Sequence, residues 1–121
     1  MGRRLPVLVF ATLLAGCAAI RPVDPALSAR IGELLLVGFH GTEVEGNAEL
    51  RHLLCDLKVR GIILYERDVA TRGPRNIQSP EQVGRLTTDL RALAQSCAGR
   101  TPLIAADNEG GPVMRLNARA G

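Results

Sequence analysis

The sequence predicts an α/β chain organised around a short parallel sheet. Three apolar runs too short for buried helices end near Phe39, Tyr65 and Asp107, and they alternate with two stretches whose leucines recur at helical spacing. Strands alternating with helices at this interval imply right-handed βαβ units. Two architectures fit the rhythm, a doubly wound sheet and an eight-stranded (β/α) barrel, and both carry their chemistry at the carboxyl ends of the strands.

Composition narrows the function classes. The 121 residues are 46% hydrophobic and 22% charged, which is globular composition and room for one domain at most. The formal charge of +3 includes Arg3 and Arg4 in a cleavable-looking start; without them 13 basic residues face 12 acidic ones, with the signs interspersed. The aromatics are Phe10, Phe39 and Tyr65. With no basic stripe and so few rings for bases to stack on, no nucleic-acid partner is expected.

Residues 1–16 read as a signal peptide: a basic start at Met1 to Arg4, an apolar run from Leu5 to Leu14, then small residues. As a helix, about ten residues span only ~15 Å, half a bilayer's hydrocarbon core, so a transmembrane anchor is not expected. The ending Leu14-Ala15-Gly16-Cys17 resembles a bacterial lipobox. That resemblance implies lipidation of Cys17 and a membrane held as partner through the lipid anchor, since two acyl chains anchor stably where one is marginal. Ala18 after the cysteine, rather than Asp, suits outer-membrane sorting, so the expected location is the bacterial cell envelope. An ordinary secretory signal, giving a secreted or periplasmic soluble protein, is the alternative. Residues 17–28, with Pro22 and Pro25, read as an extended tether, and residues 29–121 as the folded part.

The elements follow in order. Ile31 to Phe39 ends in a first strand. Ala48 to Val59 carries Leu50, Leu53, Leu54 and Leu57 on a helical stripe. Gly61 to Tyr65 is a continuous apolar run suited to a parallel strand covered on both faces. Glu66 to Ser79 is a polar loop of the length that usually serves function. Ser79-Pro80-Glu81 supplies an N-cap, a first-turn proline and an early acid, and the helix runs through Val83, Leu86, Leu90, Leu93 and Ala94 to a stop at Gly99. Pro102 to Asp107 is a third strand, leading into Asn108-Glu109-Gly110-Gly111-Pro112. Cys55 and Cys97 fall on the two helices, where they are either a disulfide or two buried thiols.

A strand ending in Asp107 sets a carboxylate at the floor of a cleft, where it can accept hydrogen bonds from ligand hydroxyls. Gly110 and Gly111 permit a sharp turn and close approach, and Arg115 offers a planar fork of donors. A plain turn with Asp107 as a cap explains the same residues.

Ile104-Ala105-Ala106-Asp107-Asn108-Glu109-Gly110-Gly111-Pro112-Val113-Met114-Arg115-Leu116 closely resembles the signature of the N-terminal barrel of family 3 glycoside hydrolases, in the β-N-acetylhexosaminidase branch. Ile31 to Phe39 resembles the family's first strand, Gly61 to Tyr65 its second, and Asn76-Ile77 with Pro80-Glu81-Gln82 the start of its second helix. The resemblance implies a TIM (β/α)8-type barrel, of which this chain would hold about three strands and two helices. It also implies substrate binding by Asp107 and Arg115 to a non-reducing N-acetylglucosamine unit of a glycan, released by retaining hydrolysis from peptidoglycan- or chitin-type fragments. A complete barrel needs about 250 residues, so a fragment inactive on its own is expected. The family's catalytic Asp and its His–Asp acid/base pair would lie beyond Gly121, and Glu109 is expected to hold the loop structurally. A β-glucosidase of the same superfamily and a non-catalytic sugar-binding lipoprotein are the alternatives. No cofactor or metal is expected, because the cysteines lack ligand spacing and no Gly-x-Gly-x-x-Gly follows a strand. Two residues depart from the family pattern: Pro112 stands for its usual Arg, and Asp68 for its common Asn, which could bring a like charge to the ligand side. His40 is expected as an exposed loop histidine, and His52 is given no role.

Overall fold

The structure, a computed structural model, describes residues 24–116. The expected signal peptide, Cys17 and the first part of the expected tether lie outside them. The element order is α1 (Pro25–Gly32), β1 (Leu36–Val37), α2 (Ala48–Arg51) running on into a π turn (His52–Asp56), β2 (Gly61–Leu64), α3 (Pro80–Ala98), β3 (Leu103–Ala106) and a hairpin of β4 (Asn108–Gly110) and β5 (Val113–Met114). Strands β1, β2 and β3 form one parallel sheet in chain order.

Register and burial divide the sheet into two unlike faces. Val37, Ile62 and Ile104 lie side by side, as do Leu64 and Ala106, and these residues pack with Leu50, Leu54, Leu86, Leu90 and Ala94 of the helices. Burying ten apolar side chains, Phe39, Val59 and Ile77 among them, is what holds the helical layer on the sheet. The opposite face carries Leu36, Gly61 and Leu103 in one row and Ile63 with Ala105 in the next. Leu36 and Leu103 are about half exposed, and no helix among the described residues covers them. Gly61 is needed between them: a Cβ there would stand 2.6 Å from Leu36 Cδ1 and 2.9 Å from Leu103 Cβ. The expectation that β2 is covered on both faces is thus met on one face only, because both covering helices pack on the Ile62–Leu64 side.

Three further expectations are corrected. The tether does not extend to Ser28: the chain is helical from Pro25, since Asp24 accepts the Ala26 N–H at 2.9 Å and proline is favoured in a first turn. The strand expected at the end of the Ile31–Phe39 run is there as Leu36–Val37, but the start of the run, which resembles the family's first strand, belongs to α1 at Ile31 and Gly32. The first long helix begins at Ala48 with Asn47 accepting the Leu50 N–H, but widens at His52, where the Leu57 N–H reaches His52 O at 3.0 Å across five residues. Helix α3 matches its expected limits: Ser79 Oγ accepts the Gln82 N–H at 3.2 Å, and Gly99 closes the helix at φ 66°. Cys55 and Cys97 are bonded, with Cα atoms 5.2 Å apart, tying the π turn to α3. Among the described residues no helix is long and apolar enough to cross a membrane.

Candidate functional site

Parallel pairing brings the chain segments after β1, β2 and β3 to one rim. The rim is held by two buried amides. Asn76, fully buried, donates through Nδ2 to Phe39 O at 3.1 Å and Gly41 O at 2.9 Å, and its Oδ1 accepts the Tyr65 N–H at 3.0 Å. Gln82 donates through Nε2 to Thr42 O at 2.8 Å and Asn76 O at 3.0 Å, while its Oε1 accepts the Gln78 N–H. These two residues fix the loop after β1 against the loop after β2. Arg75 adds a bond from Nε to Phe39 O at 2.8 Å, and its guanidinium lies 5.0 Å from the Tyr65 ring centroid. Sequence reasoning missed all three as site residues. The available signal was Ile77, an apolar residue beside Asn76 near the end of a mostly polar loop.

The loop from Glu66 to Gln78 folds back on itself, with Arg67 bridged to Pro74, and it lines a cleft of ≈ 400 Å³. Asp68 is turned into this loop. Its Oδ1 accepts the Thr71 N–H at 2.8 Å and the Thr71 hydroxyl at 3.1 Å, and its Oδ2 lies 3.1 Å from His40 Nε2. The Thr71 N–H is the main cause that holds its carboxyl below the ordinary carboxylate range, with the Thr71 hydroxyl and His40 adding to it. The charge expected to face a ligand is therefore committed to the loop. His40 is 64% exposed, as expected of a loop histidine, but it is not free: Nδ1 stands 3.5 Å from Glu49 Oε2, which also accepts the His40 backbone N–H at 3.0 Å.

The β3 end carries the residues singled out from sequence. Asp107 follows Ala106, so strand alternation assigns it to the bare face that carries Ala105 and Ile63. It is half-buried. Beyond it the chain reverses in the β4–β5 hairpin: Gly110 pairs with Val113 around Gly111 and Pro112, at φ 82° and 58° for the two glycines. Pro112 sits in this turn, outside the ladder, so its missing N–H costs no strand bond. The hairpin returns Arg115 to Asp107, whose O accepts the Arg115 N–H at 3.2 Å. Among the described residues, Arg115 Nε is the buried side-chain polar atom left without a hydrogen-bond partner. A buried donor of this kind, on a residue whose backbone is bonded to that of Asp107, is what a polar ligand would satisfy. Glu109 departs from its expected structural role. It is exposed, and the turn is closed by backbone pairing and by the two glycines rather than by its carboxylate. Among the described residues no group of three or more His, Cys, Asp or Glu side chains is arranged to hold a metal ion.

Comparison with known proteins was made by sequence and by shape. No family model matches the chain. Over 83 residues, or 68% of the chain, it is 43% identical to a β-hexosaminidase of Alkalilimnicola ehrlichii, and over 69% of the chain it is 38% identical to a β-hexosaminidase of Stenotrophomonas maltophilia. The chain spans about a fifth of the length of these curated relatives (20% and 21%). Among solved structures it is similar to a glycoside hydrolase family 3 β-N-acetylglucosaminidase from Paenibacillus sp., with a TM-score of 0.63 and 33% identity over 75% of this chain and 15% of that one.

Proposed function

We propose that these residues are the N-terminal part of a family 3 glycoside hydrolase, a retaining β-N-acetylhexosaminidase, and contribute the first three strand units of its (β/α)8 barrel. The observation that carries the reading is the strand-end turn at Asp107 with Arg115 brought back beside it, in a chain 43% identical over 83 residues to a protein named β-hexosaminidase. The two-faced sheet supports the barrel. Helices lie on one side, and the bare side is apolar at Leu36, Ile63, Leu103 and Ala105, as a barrel interior filled by layers of side chains requires.

Asp107 accepts hydrogen bonds from hydroxyls of a terminal N-acetylglucosamine unit, and Arg115 donates from the guanidinium whose Nε has no protein partner. These two groups hold and orient the sugar. In a retaining reaction a carboxylate displaces the leaving group to form a covalent glycosyl-enzyme, which water then hydrolyses. The nucleophilic Asp and the His–Asp acid/base pair belong to the remainder of the protein. The substrates are terminal β-linked N-acetylglucosamine residues of peptidoglycan- or chitin-type fragments. Cys17 carries the lipid anchor that holds the protein at the bacterial envelope, and the Cys55–Cys97 disulfide agrees with such an oxidising location.

The test is hydrolysis of chromogenic β-N-acetylglucosaminide and β-glucoside by the full-length protein and its Asp107→Ala variant. The glucosaminide is expected to be strongly preferred, and the variant to lose about tenfold to a hundredfold in kcat/KM, the equivalent of hydrogen bonds to a charged group. Equal rates on both substrates would point to a β-glucosidase. Binding of N-acetylglucosamine without turnover would leave only a sugar-binding lipoprotein.

A further inference from the structure

At the rim, the bare face of the sheet ends in an aromatic ring and a cation. Leu64 pairs with Ala106, so the residues that follow, Tyr65 and Asp107, leave neighbouring strands at the same level, and alternation assigns both to the bare face. The Tyr65 ring lies over Gly38 at the end of β1: a Cβ added to Gly38 would stand 2.9 Å from Tyr65 Cε2 and 3.2 Å from Arg75 Nη2. Gly38 falls between Val37 and Phe39, which both pack with the helices, so the room left by its missing side chain is on the bare side. Arg75 completes the group, with Cζ 5.0 Å from the Tyr65 ring centroid and Nε donating to Phe39 O at 2.8 Å.

One bond and one ring contact thus fix the guanidinium and leave its two Nη atoms over. Among the described residues neither Nη of Arg75 nor the Tyr65 hydroxyl has a hydrogen-bond partner, and none of the three is sealed from solvent. We propose that Tyr65 and Arg75 are sugar-contact residues, donating hydrogen bonds to oxygen atoms of the same terminal N-acetylglucosamine unit whose hydroxyls Asp107 accepts. The inference rests on the glycosidase reading and adds two residues to its binding site. The chemistry is complementary. An ionised carboxylate only accepts, whereas every sugar hydroxyl and the acetamido carbonyl also carry lone pairs that need donors. The guanidinium only donates, and the phenol can do so. Both approach from the β1 and β2 side of Asp107, while Arg115 returns on the hairpin that follows it.

Tyr65→Phe in the full-length protein tests this with little disturbance, because it removes one oxygen that has no protein partner and keeps the ring under Arg75. Its kcat/KM on a chromogenic β-N-acetylglucosaminide is expected to fall about twofold to tenfold, the worth of one neutral hydrogen bond. The dissociation constant of N-acetylglucosamine, measured by isothermal titration, should rise by a similar factor, and the urea midpoint should not move. Arg75→Lys provides a second arm. It keeps a positive charge and a donor for Phe39 O but loses the fork, so a loss of about tenfold or more is expected, again at an unchanged midpoint. Native values in either variant, or a loss that comes with a lower urea midpoint, would overturn the inference and leave the glycosidase reading standing. Binding that weakens in both variants of a protein without turnover would support the inference and remove the activity. A native protein that neither binds N-acetylglucosamine nor turns over would overturn both.

Discussion

Removing the Cys55–Cys97 bond, by Cys55→Ala with Cys97→Ala, lets the unfolded chain explore conformations that the 42-residue separation now forbids. In the chain-entropy treatment a loop of this length loses about 13 cal/mol/K on closure, or ~4 kcal/mol at 25 °C. The native side of the balance changes little, since the bond joins two helices that already pack through Leu54, Leu90 and Ala94. Urea unfolding of the oxidised and double-alanine full-length proteins, followed by helical circular dichroism, measures the difference. With a slope of about 4 kcal/mol per molar, as suits a protein several times longer than a small domain, the midpoint should fall by ~1 M. A fall of less than about 0.5 M would refute the loop-entropy reasoning, because it would mean that the unfolded state is already compact across this segment.

Two further outcomes are expected of the rim. Asn76→Ala should cost about 2–4 kcal/mol in the same unfolding assay, because Gly41 O and the Tyr65 N–H lose their partner inside the protein; a cost under ~1 kcal/mol would mean water replaces the amide. The carboxyl of Asp68 is held below its ordinary value of 3.8 in the fold, so its contribution to stability is complete above that pH and is lost as the pH falls through the depressed value. An acid titration of stability should therefore be steeper below about pH 4 in the native protein than in Asp68→Asn, and equal slopes would count against the carboxylate's role.

Where structure depends on neighbouring residues, the sequence was legible. Ser79, Pro80 and Gly99 bracket α3 because capping is a matter of a few adjacent groups, and the short apolar runs at Gly61 and Leu103 mark strands because no helix of that length buries itself. Pro25 was misread because the same ring suits an extended tether and a helix's first turn, and the deciding group is the Asp24 carboxylate. The π turn depends on hydrogen-bond register, which side-chain periodicity does not record. The cysteine pairing depended on a distance of 5.2 Å between helices. At the site, Asp107 and Arg115 stood out through their motif, and the antiparallel return that joins their backbones follows from Gly110 and Gly111. Asn76 and Gln82 stood out only within the helix-start motif and not as site residues, since Asn76 in a polar loop and Gln82 in the first turn of α3 look solvated until their backbone carbonyl partners are known.

The order of the strands bears on how the chain is made. Each strand of the parallel sheet after β1 lies beside the one synthesised just before it. Leu36 meets Gly61 and Gly61 meets Leu103, so at translation rates of roughly 5–20 residues per second each pairing becomes available within seconds of the last. The sheet of the described residues can therefore form one strand at a time as the chain leaves the ribosome, in the order β1, β2, β3.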